Sequence, residues 1–209
     1  MKARLLLLLG TLLLPFGLLS TARALPAAAE LKSAFAALDA DHDGSVSLGE
    51  WEKASFALFR SADRNNDNAL DSSELGGTAI TQDTFLLIDE DHNGRLSIAE
   101  FMRLRRAVFT AADIDRGDTL SFVEFELLTL LARTGWTDRN HNGRIEPSEL
   151  KAALAQAFGQ LDENHDGFVS TAEAAYMPAD EFKLSDLDHD DRLSPDEFVT
   201  GYLKSLGAL

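Results

Sequence analysis

The chain has 209 residues, with 19 Lys and Arg against 35 Asp and Glu, which gives a net charge of −16. This acidity argues against binding to nucleic acid or to anionic membrane surfaces, both of which repel acidic proteins. There is no cysteine, which excludes a disulfide framework, a thiol nucleophile and a cysteine-ligated zinc site.

The first predicted element is a secretory signal peptide at residues 1–24. Its start is basic, residues 5–19 are mostly apolar, and Ala22 and Ala24 are small residues where a signal peptidase reads the chain. An uncleaved membrane anchor is the alternative, but the apolar run is short for a membrane span and contains glycine and proline. We expect cleavage after Ala24, a secreted or periplasmic product, and no membrane contact beyond the signal peptide.

After a short N-terminal segment at residues 25–30, residues 31–209 are predicted to form one repeat array. A twelve-residue acidic pattern occurs seven times, and the first copy reads DADHDGSVSLGE. We number the copies loops 1 to 7, at residues 39–50, 63–74, 89–100, 113–124, 138–149, 162–173 and 186–197. Every copy has Asp at position 1 and Glu at position 12.

This pattern resembles the calcium-binding loop of EF-hand proteins. Calcium takes six to eight oxygen ligands, and in such a loop the side chains at positions 1, 3 and 5 surround one half of the ion. Position 7 supplies its backbone carbonyl, and the position-12 Glu closes the far side with both carboxylate oxygens. The resemblance implies an all-α fold, an array of helix–loop–helix units with short β bridges between loops, and Ca²⁺ as the bound ion.

The predicted ligands are positions 1, 3, 5, 7 and 12, with one position-9 carboxylate added in loop 2. Loops 1 and 2 supply Asp39, Asp41, Asp43, Ser45 and Glu50, then Asp63, Asn65, Asp67, Ala69, Asp71 and Glu74. Loops 3 and 4 supply Asp89, Asp91, Asn93, Arg95 and Glu100, then Asp113, Asp115, Thr119 and Glu124. Loops 5 to 7 supply Asp138, Asn140, Asn142, Arg144 and Glu149, then Asp162, Asn164, Asp166, Phe168 and Glu173, and finally Asp186, Asp188, Asp190, Arg192 and Glu197.

Loop 4 departs from the pattern. Gly117 has no side-chain oxygen at position 5, and Asp118 occupies the sharp turn at position 6, where glycine is favoured. We therefore expect about six filled sites and a seventh, loop 4, that binds calcium weakly or stays empty. Loops 1, 2 and 7 carry four acidic side chains among positions 1, 3, 5, 9 and 12, against three in the others, so they are expected to fill first.

Only 12 to 14 residues separate consecutive loops, which is room for one shared helix. Three of these segments lack strong helix breakers: 51–62, 101–112 and 150–161. Gly76-Gly77, Gly135 and Pro178 interrupt the others. This alternation favours pairing of loops 2 with 3, 4 with 5 and 6 with 7, which leaves loop 1 over. A zigzag in which next-nearest loops meet is the alternative.

The pattern favours a calcium buffer, or a calcium-stabilised scaffold for an unidentified partner protein. A sensor that exposes an apolar groove is the alternative, but such grooves are rich in methionine and residues 25–209 contain only Met102 and Met177. An enzyme is not expected, because all five histidines lie at loop position 4 and no phosphate-binding loop or nucleophile elbow is found.

Among secreted proteins with many loops, reticulocalbin and calumenin are similar in outline, and calmodulin-like proteins share the loop. The short repeat period is closer to the EF-hand arrays of exported bacterial proteins.

Overall fold

The computed structural model describes residues 25–71, 73–74, 85 and 88–207, so the predicted signal peptide lies outside it. The helices of these residues are α1 (Ala28–Leu38), α2 (Leu48–Ala62), α3 (Ile98–Ala112), α4 (Phe122–Thr134), α5 (Pro147–Leu161), α6 (Ala179–Ser185) and α7 (Pro195–Ser205). The strands are β1 (Val46–Ser47), β2 (Ala69–Leu70), β3 (Leu96–Ser97), β4 (Thr119–Leu120), β5 (Val169–Ser170) and β6 (Arg192–Leu193). The predicted all-α array with short β bridges is confirmed. Within the described ranges, no helix combines the length and the apolar character that a membrane crossing would need.

Most helices begin immediately after a β bridge, at a Ser-x-x-Glu sequence. In α2, the hydroxyl of Ser47 accepts a hydrogen bond from the Glu50 N–H, and the Glu50 carboxylate accepts one from the Ser47 N–H. This reciprocal capping satisfies backbone groups that a helix start leaves without partners. The same helix ends at Ala62 and is capped by Asp63, the first residue of loop 2. Helix α2 is therefore shared, since it leaves loop 1 and enters loop 2. Helix α3 likewise joins loop 3 to loop 4, and α5 joins loop 5 to loop 6.

The β bridges pair loop 1 with loop 4, loop 2 with loop 3, and loop 6 with loop 7. In the first bridge, Val46 lies opposite Leu120 and Ser47 lies opposite Thr119. The predicted pairs 2–3 and 6–7 are thus confirmed. The predicted pairing of loops 4 and 5 is wrong, and loop 1 is not left over. In the described part of the chain, loop 5 is the one without a bridging strand.

The reason for the 1–4 pair is the packing of the two shared helices, α2 and α3. Trp51 near the start of α2 lies 6.1 Å from Phe109 near the end of α3, and Phe59 near the end of α2 lies 5.5 Å from Phe101 near the start of α3 (ring centroids). The helices are therefore antiparallel. With loops 2 and 3 paired at one end of the two helices, loops 1 and 4 are brought together at the other.

A buried polar cluster fixes the contact between α2 and α3. The indole N–H of Trp51 donates to the backbone carbonyl of Arg105 at 2.8 Å. The Arg105 guanidinium lies 4.1 Å from the Trp51 ring centre, and its Nε donates to the Ser55 hydroxyl at 2.8 Å. Burial lowers the pKa of Arg105 to about 9, so the side chain is still charged at neutral pH. The Ser55 hydroxyl and the face of the Trp51 ring thus help to stabilise the buried charge of Arg105.

Helices α4 and α7 meet through a second buried polar group. The Tyr202 hydroxyl in α7 donates to Oε1 of Glu126 in α4 at 2.7 Å, and it lies 3.1 Å from the Tyr176 hydroxyl. Burial, followed by the charge on Glu181, raises the pKa of Glu126 to about 8. Glu126 is therefore largely protonated at neutral pH, which removes most of the cost of placing a carboxylate in the core.

Candidate metal centres

The position-1 aspartates organise the loops from the inside, and all seven are buried. In loop 3, Oδ1 of Asp89 accepts the Asn93 N–H at 3.0 Å, and Oδ2 accepts the Gly94 N–H at 2.8 Å. Five other loops repeat this pair of contacts, with Asp39, Asp63, Asp138, Asp162 and Asp186 as acceptors. These six loops are thus wound around their own position-1 carboxylates.

Two turn positions in each loop adopt positive φ. Position 6 has φ from 60° to 90° in all seven loops, including Asn68, Asp118 and Asp191. Position 4 also has positive φ, from 56° to 63°. After glycine, the left-handed region is best tolerated by Asn, Asp and His. All five histidines lie at position 4 and are exposed, so this conformation accounts for them without any contact to a metal.

The position-12 glutamates cross each loop from its far end. Oε1 of Glu50 accepts the N–H groups of Ala40 at 2.6 Å and Asp41 at 3.2 Å, and Oε2 accepts the N–H and hydroxyl of Ser47, both at 2.8 Å. The hydrogen bonds from Ser47 are the main cause that lowers the pKa of Glu50 to about 2. The carboxylate is therefore ionised and held at the start of the loop.

In four loops, three carboxylates converge so that one oxygen of each lies within 4.8 Å of the others. In loop 1 these are positions 1, 3 and 5, and in loops 3, 4 and 7 they are positions 1, 3 and 12. Loops 2, 5 and 6 show no such triple among the described residues, and all three have Asn at position 3.

Loop 5 places its predicted ligands differently. The side-chain amides of Asn140 and Asn142 donate to the two carboxylate oxygens of Glu146, at 2.7 and 2.8 Å. Glu146 occupies position 9, which brings a third carboxylate to a loop that has only Asp138 and Glu149 at the predicted acidic positions. In loop 2 the position-9 residue, Asp71, instead caps the following turn by accepting the Ser73 and Glu74 N–H groups.

Loop 4 leaves an oxygen atom without a partner. Oδ1 of Asp113 is buried and accepts no hydrogen bond within the described residues. Gly117 N–H instead donates to Asp115 at 2.8 Å. Burial and the nearby charges of Asp115 and Asp118 raise the pKa of Asp113, against the pull of backbone N–H groups. A cation would relieve both the missing contact and the repulsion, so the loop 4 residues fit a metal ion.

The buried carboxylates of these loops need a compensating positive charge, and their chemistry selects the ion. Uncompensated buried charges are strongly destabilising. An all-oxygen donor set of carboxylates, amides and backbone carbonyls suits a hard cation such as calcium. Helix–loop–helix units that pair through a β bridge and carry such loops define a class of metal-binding proteins.

The comparisons with known proteins identify the family. The family model described as EF hand matches residues 31–55, 57–76, 81–104, 138–155 and 154–173, which together make up half of the chain. The chain belongs to the EF-hand family, and its loops fit calcium binding. The matches include loops 1, 2, 3, 5 and 6, while loops 4 and 7 have converging carboxylates of their own. A search of the curated proteins found no match.

The position-9 serines, outside the predicted ligand set, help to position the glutamates. Ser47, Ser97, Ser121, Ser170 and Ser194 each donate a hydroxyl hydrogen bond to the position-12 carboxylate of their own loop. The signal for this role is present in the sequence as the repeated Ser-x-x-Glu capping box. The sequence pattern also failed to predict that the Arg95 side chain of loop 3 donates a hydrogen bond to Asp67 of loop 2. This contact has no local signal, because it depends on which loops pair.

Proposed function

We propose that the protein is an exported calcium-binding protein that works as a calcium buffer or as a calcium-stabilised scaffold, not as a sensor. The observation that carries this proposal is the sharing of helices. Helix α2 is both the outgoing helix of loop 1 and the incoming helix of loop 2, and α3 stands in the same relation to loops 3 and 4. A sensor opens one pair of helices to expose a groove. Here, moving one helix of a loop would disturb a second loop and the contact between α2 and α3.

The apolar faces of the helices also favour this proposal. Phe59 and Phe101, which face each other between α2 and α3, are at most 2% exposed. Met177 is buried and Met102 packs against the core, so neither offers the flexible methionine surface of a sensor groove. The large exposed apolar residues of the described ranges are Leu48, Phe56, Leu184 and Leu187.

A calcium titration with two readouts tests buffer or scaffold against sensor. Calorimetry is expected to give about six bound ions per chain, with dissociation constants on the order of 10⁻⁶ to 10⁻³ M. A dye that fluoresces on apolar surface is expected to bind less as calcium is added, because the ions hold the helices together. A rise in dye binding at saturating calcium would favour the sensor. Retention of a partner protein only with calcium present would favour the scaffold over the buffer.

Export rests on the sequence of residues 1–24. Extracellular EF-hand modules bind weakly because calcium outside the cell is high, which agrees with four of the seven loops having only three acidic side chains. Expression of the full chain in a bacterium is expected to yield a product outside the cytoplasm whose first residue is Leu25. A product that keeps Met1 and is found in the cytoplasm would contradict export while leaving calcium binding intact.

A further inference from the structure

Arg95 lies at position 7 of loop 3, but its side chain contacts loop 2. The bridge between β2 and β3 pairs Ala69 with Ser97 and Leu70 with Leu96. If this antiparallel register is continued by one residue beyond the Leu70–Leu96 pair, Arg95 lies beside Asp71 of loop 2. From there the guanidinium reaches Asp67 at position 5 of loop 2, and Nη2 of Arg95 donates to Oδ2 of Asp67.

The contact places a positive charge among the predicted ligands of loop 2. Oδ1 of Asp67 accepts the Ala69 N–H at 3.0 Å, so both carboxylate oxygens have a donor. Desolvation raises the pKa of Asp67, but the hydrogen bond and charge of Arg95, together with the hydrogen bonds from Ala69 and Asn65, outweigh it and lower the pKa. The charge of Arg95 also contributes to the lowered pKa of Asp71, behind that residue's hydrogen bonds to Ser73 and Glu74.

In the pair of loops 6 and 7, the corresponding arginine also reaches across the bridge, but it contacts an aromatic ring of the partner loop and, among the described residues, donates no hydrogen bond to a carboxylate of that loop. Arg192 occupies the same position 7 in loop 7, but its guanidinium stacks 3.8 Å from the ring centre of Phe168. Its Nε donates to Asp190, a residue of its own loop, at 2.7 Å. In loop 2 the residue that corresponds to Phe168 is Ala69, which is too small to hold a guanidinium over the bridge. Arg95 therefore extends to Asp67.

Loop 1 provides the internal reference. Like loop 2, it carries four acidic side chains among positions 1, 3, 5, 9 and 12. Its bridging partner, loop 4, has the uncharged Thr119 at position 7, opposite Ser47. From their own sequences the two loops are expected to be of similar affinity. Within the described residues, loop 2 has two cationic contacts that loop 1 lacks. Nη1 of Arg60, from the helix that enters loop 2, lies 3.4 Å from Oδ2 of Asp63, and Arg95 comes from the partner loop.

We infer that Arg95 lowers the calcium affinity of loop 2 from outside that loop, so that loop 2 fills after loop 1. The inference rests on the proposed calcium binding at loop 2. Arg95 relieves repulsion among the four carboxylates when calcium is absent, and it repels the divalent ion when calcium is bound. Both effects favour the calcium-free loop. Because the side chains of Arg95 and Asp67 are about 40% exposed (42% and 36%), water weakens the effect.

The test is a residue-resolved calcium titration by ¹⁵N NMR of the full protein. The Asn68 amide donates to Asp63 and reports loop 2, and the Gly44 amide donates to Asp39 and reports loop 1. In the unmodified protein the Gly44 signal is expected to reach its midpoint at lower calcium than the Asn68 signal. In Arg95→Gln the Asn68 midpoint is expected to move to about threefold lower calcium, with Gly44 unchanged.

Two further variants test whether the effect comes from the positive charge of Arg95 next to Asp67, and not from a change in net charge or in side-chain shape. Arg64→Gln removes the same charge from loop 2 at an exposed side chain at position 2, and it is expected to shift the Asn68 midpoint by clearly less than Arg95→Gln. Arg95→Lys keeps the charge, so its Asn68 midpoint is expected to stay near that of the unmodified protein. A lower loop 2 affinity in Arg95→Gln, or equal shifts in Arg95→Gln and Arg64→Gln, would overturn the inference. An Asn68 signal that ignores calcium in every variant would instead reject calcium binding at loop 2.

Discussion

Val46 of loop 1 lies directly opposite Leu120 of loop 4 in an antiparallel bridge. The contact completes a unit of four loops, in which loops 1 and 4 are bridged at one end and loops 2 and 3 at the other. Helices α2 and α3 form the sides of this unit, and the two bridges form its ends. Because every helix of the unit ends in a loop that is itself bridged, the calcium state of one loop is tied to the packing of the whole unit.

Calcium removal is expected to unfold or greatly loosen the protein. The position-1 aspartates and most position-12 glutamates are buried, so they would remain as uncompensated charges. At tenfold excess of calcium over the dissociation constant each site adds about 1.4 kcal/mol, so six sites add about 8 kcal/mol. That is comparable with the stability of a whole domain, about 5–15 kcal/mol. Circular dichroism melts with excess calcium and with chelator measure the effect, and calcium-saturated chelator is the control. Identical melting curves would contradict this prediction.

Gly117→Asp is expected to strengthen calcium binding at loop 4 by about tenfold, because it supplies the missing position-5 oxygen. A Cβ at Gly117 would come within 2.9 Å of Oδ1 of Asp115, which is the end of a flexible side chain and can move. The NMR signal of the Leu120 amide, followed through a calcium titration, measures the change. Gly117→Ala introduces the same Cβ without the oxygen and should leave the affinity near that of the unmodified loop. Equal effects of the two substitutions would reject the missing ligand as the cause of weak binding.

Ser55→Ala is expected to lower the free energy of unfolding by about 1–3 kcal/mol, because it removes the buried hydroxyl that accepts from Arg105 Nε. Ser61→Ala is the matched control. It lies on the same helix, is exposed, and bonds only locally to the Leu58 carbonyl among the described contacts, so its effect should stay within about 0.5 kcal/mol. Urea unfolding at saturating calcium compares the two. If both cost the same, the buried cluster between α2 and α3 is not a source of stability.

The raised pKa of Glu126 predicts that the free energy of unfolding falls as pH rises. Its pKa is about 8 in the folded protein and 4.5 as an ordinary glutamate, so the folded state holds a proton that the unfolded state releases between these values. This contribution is complete below about pH 4.5 and is lost as pH rises through about 8. Glu181 and Tyr202 face this carboxyl group, and Lys32 opposes the shift.

The test is urea unfolding of the calcium-saturated protein at pH 6, 7.5 and 9. Glu126→Gln keeps an oxygen for the Tyr202 hydroxyl but cannot ionise, so its stability is expected to fall less between pH 6 and 9 than that of the unmodified protein. The exposed Glu163→Gln should follow the unmodified protein. A Glu126→Gln curve parallel to that of the unmodified protein would show that Glu126 is not the titrating group.

The sequence by itself determined the loops and the elements that adjoin them. A twelve-residue loop is a local structure, so Asp39 and Glu50 reveal both the turn and its donor set without reference to the rest of the chain. The same holds for the helix starts, because the capping contact between Ser47 and Glu50 spans three residues. The positive φ at position 4 is also local, and His42 there is among the residue types that tolerate it.

The helix breakers indicated the pairs 2–3 and 6–7, but only the tertiary structure decided that loop 1 meets loop 4. Every loop has an aliphatic residue at position 8, such as Val46, Leu120 or Ile145, so each can form the same bridge and the pattern carries no information about partners. The choice is made by the antiparallel packing of α2 on α3, which involves residues far apart in sequence such as Trp51 and Arg105. The contact of Arg95 with Asp67 follows from that choice, because it exists only where loop 3 is bridged to loop 2.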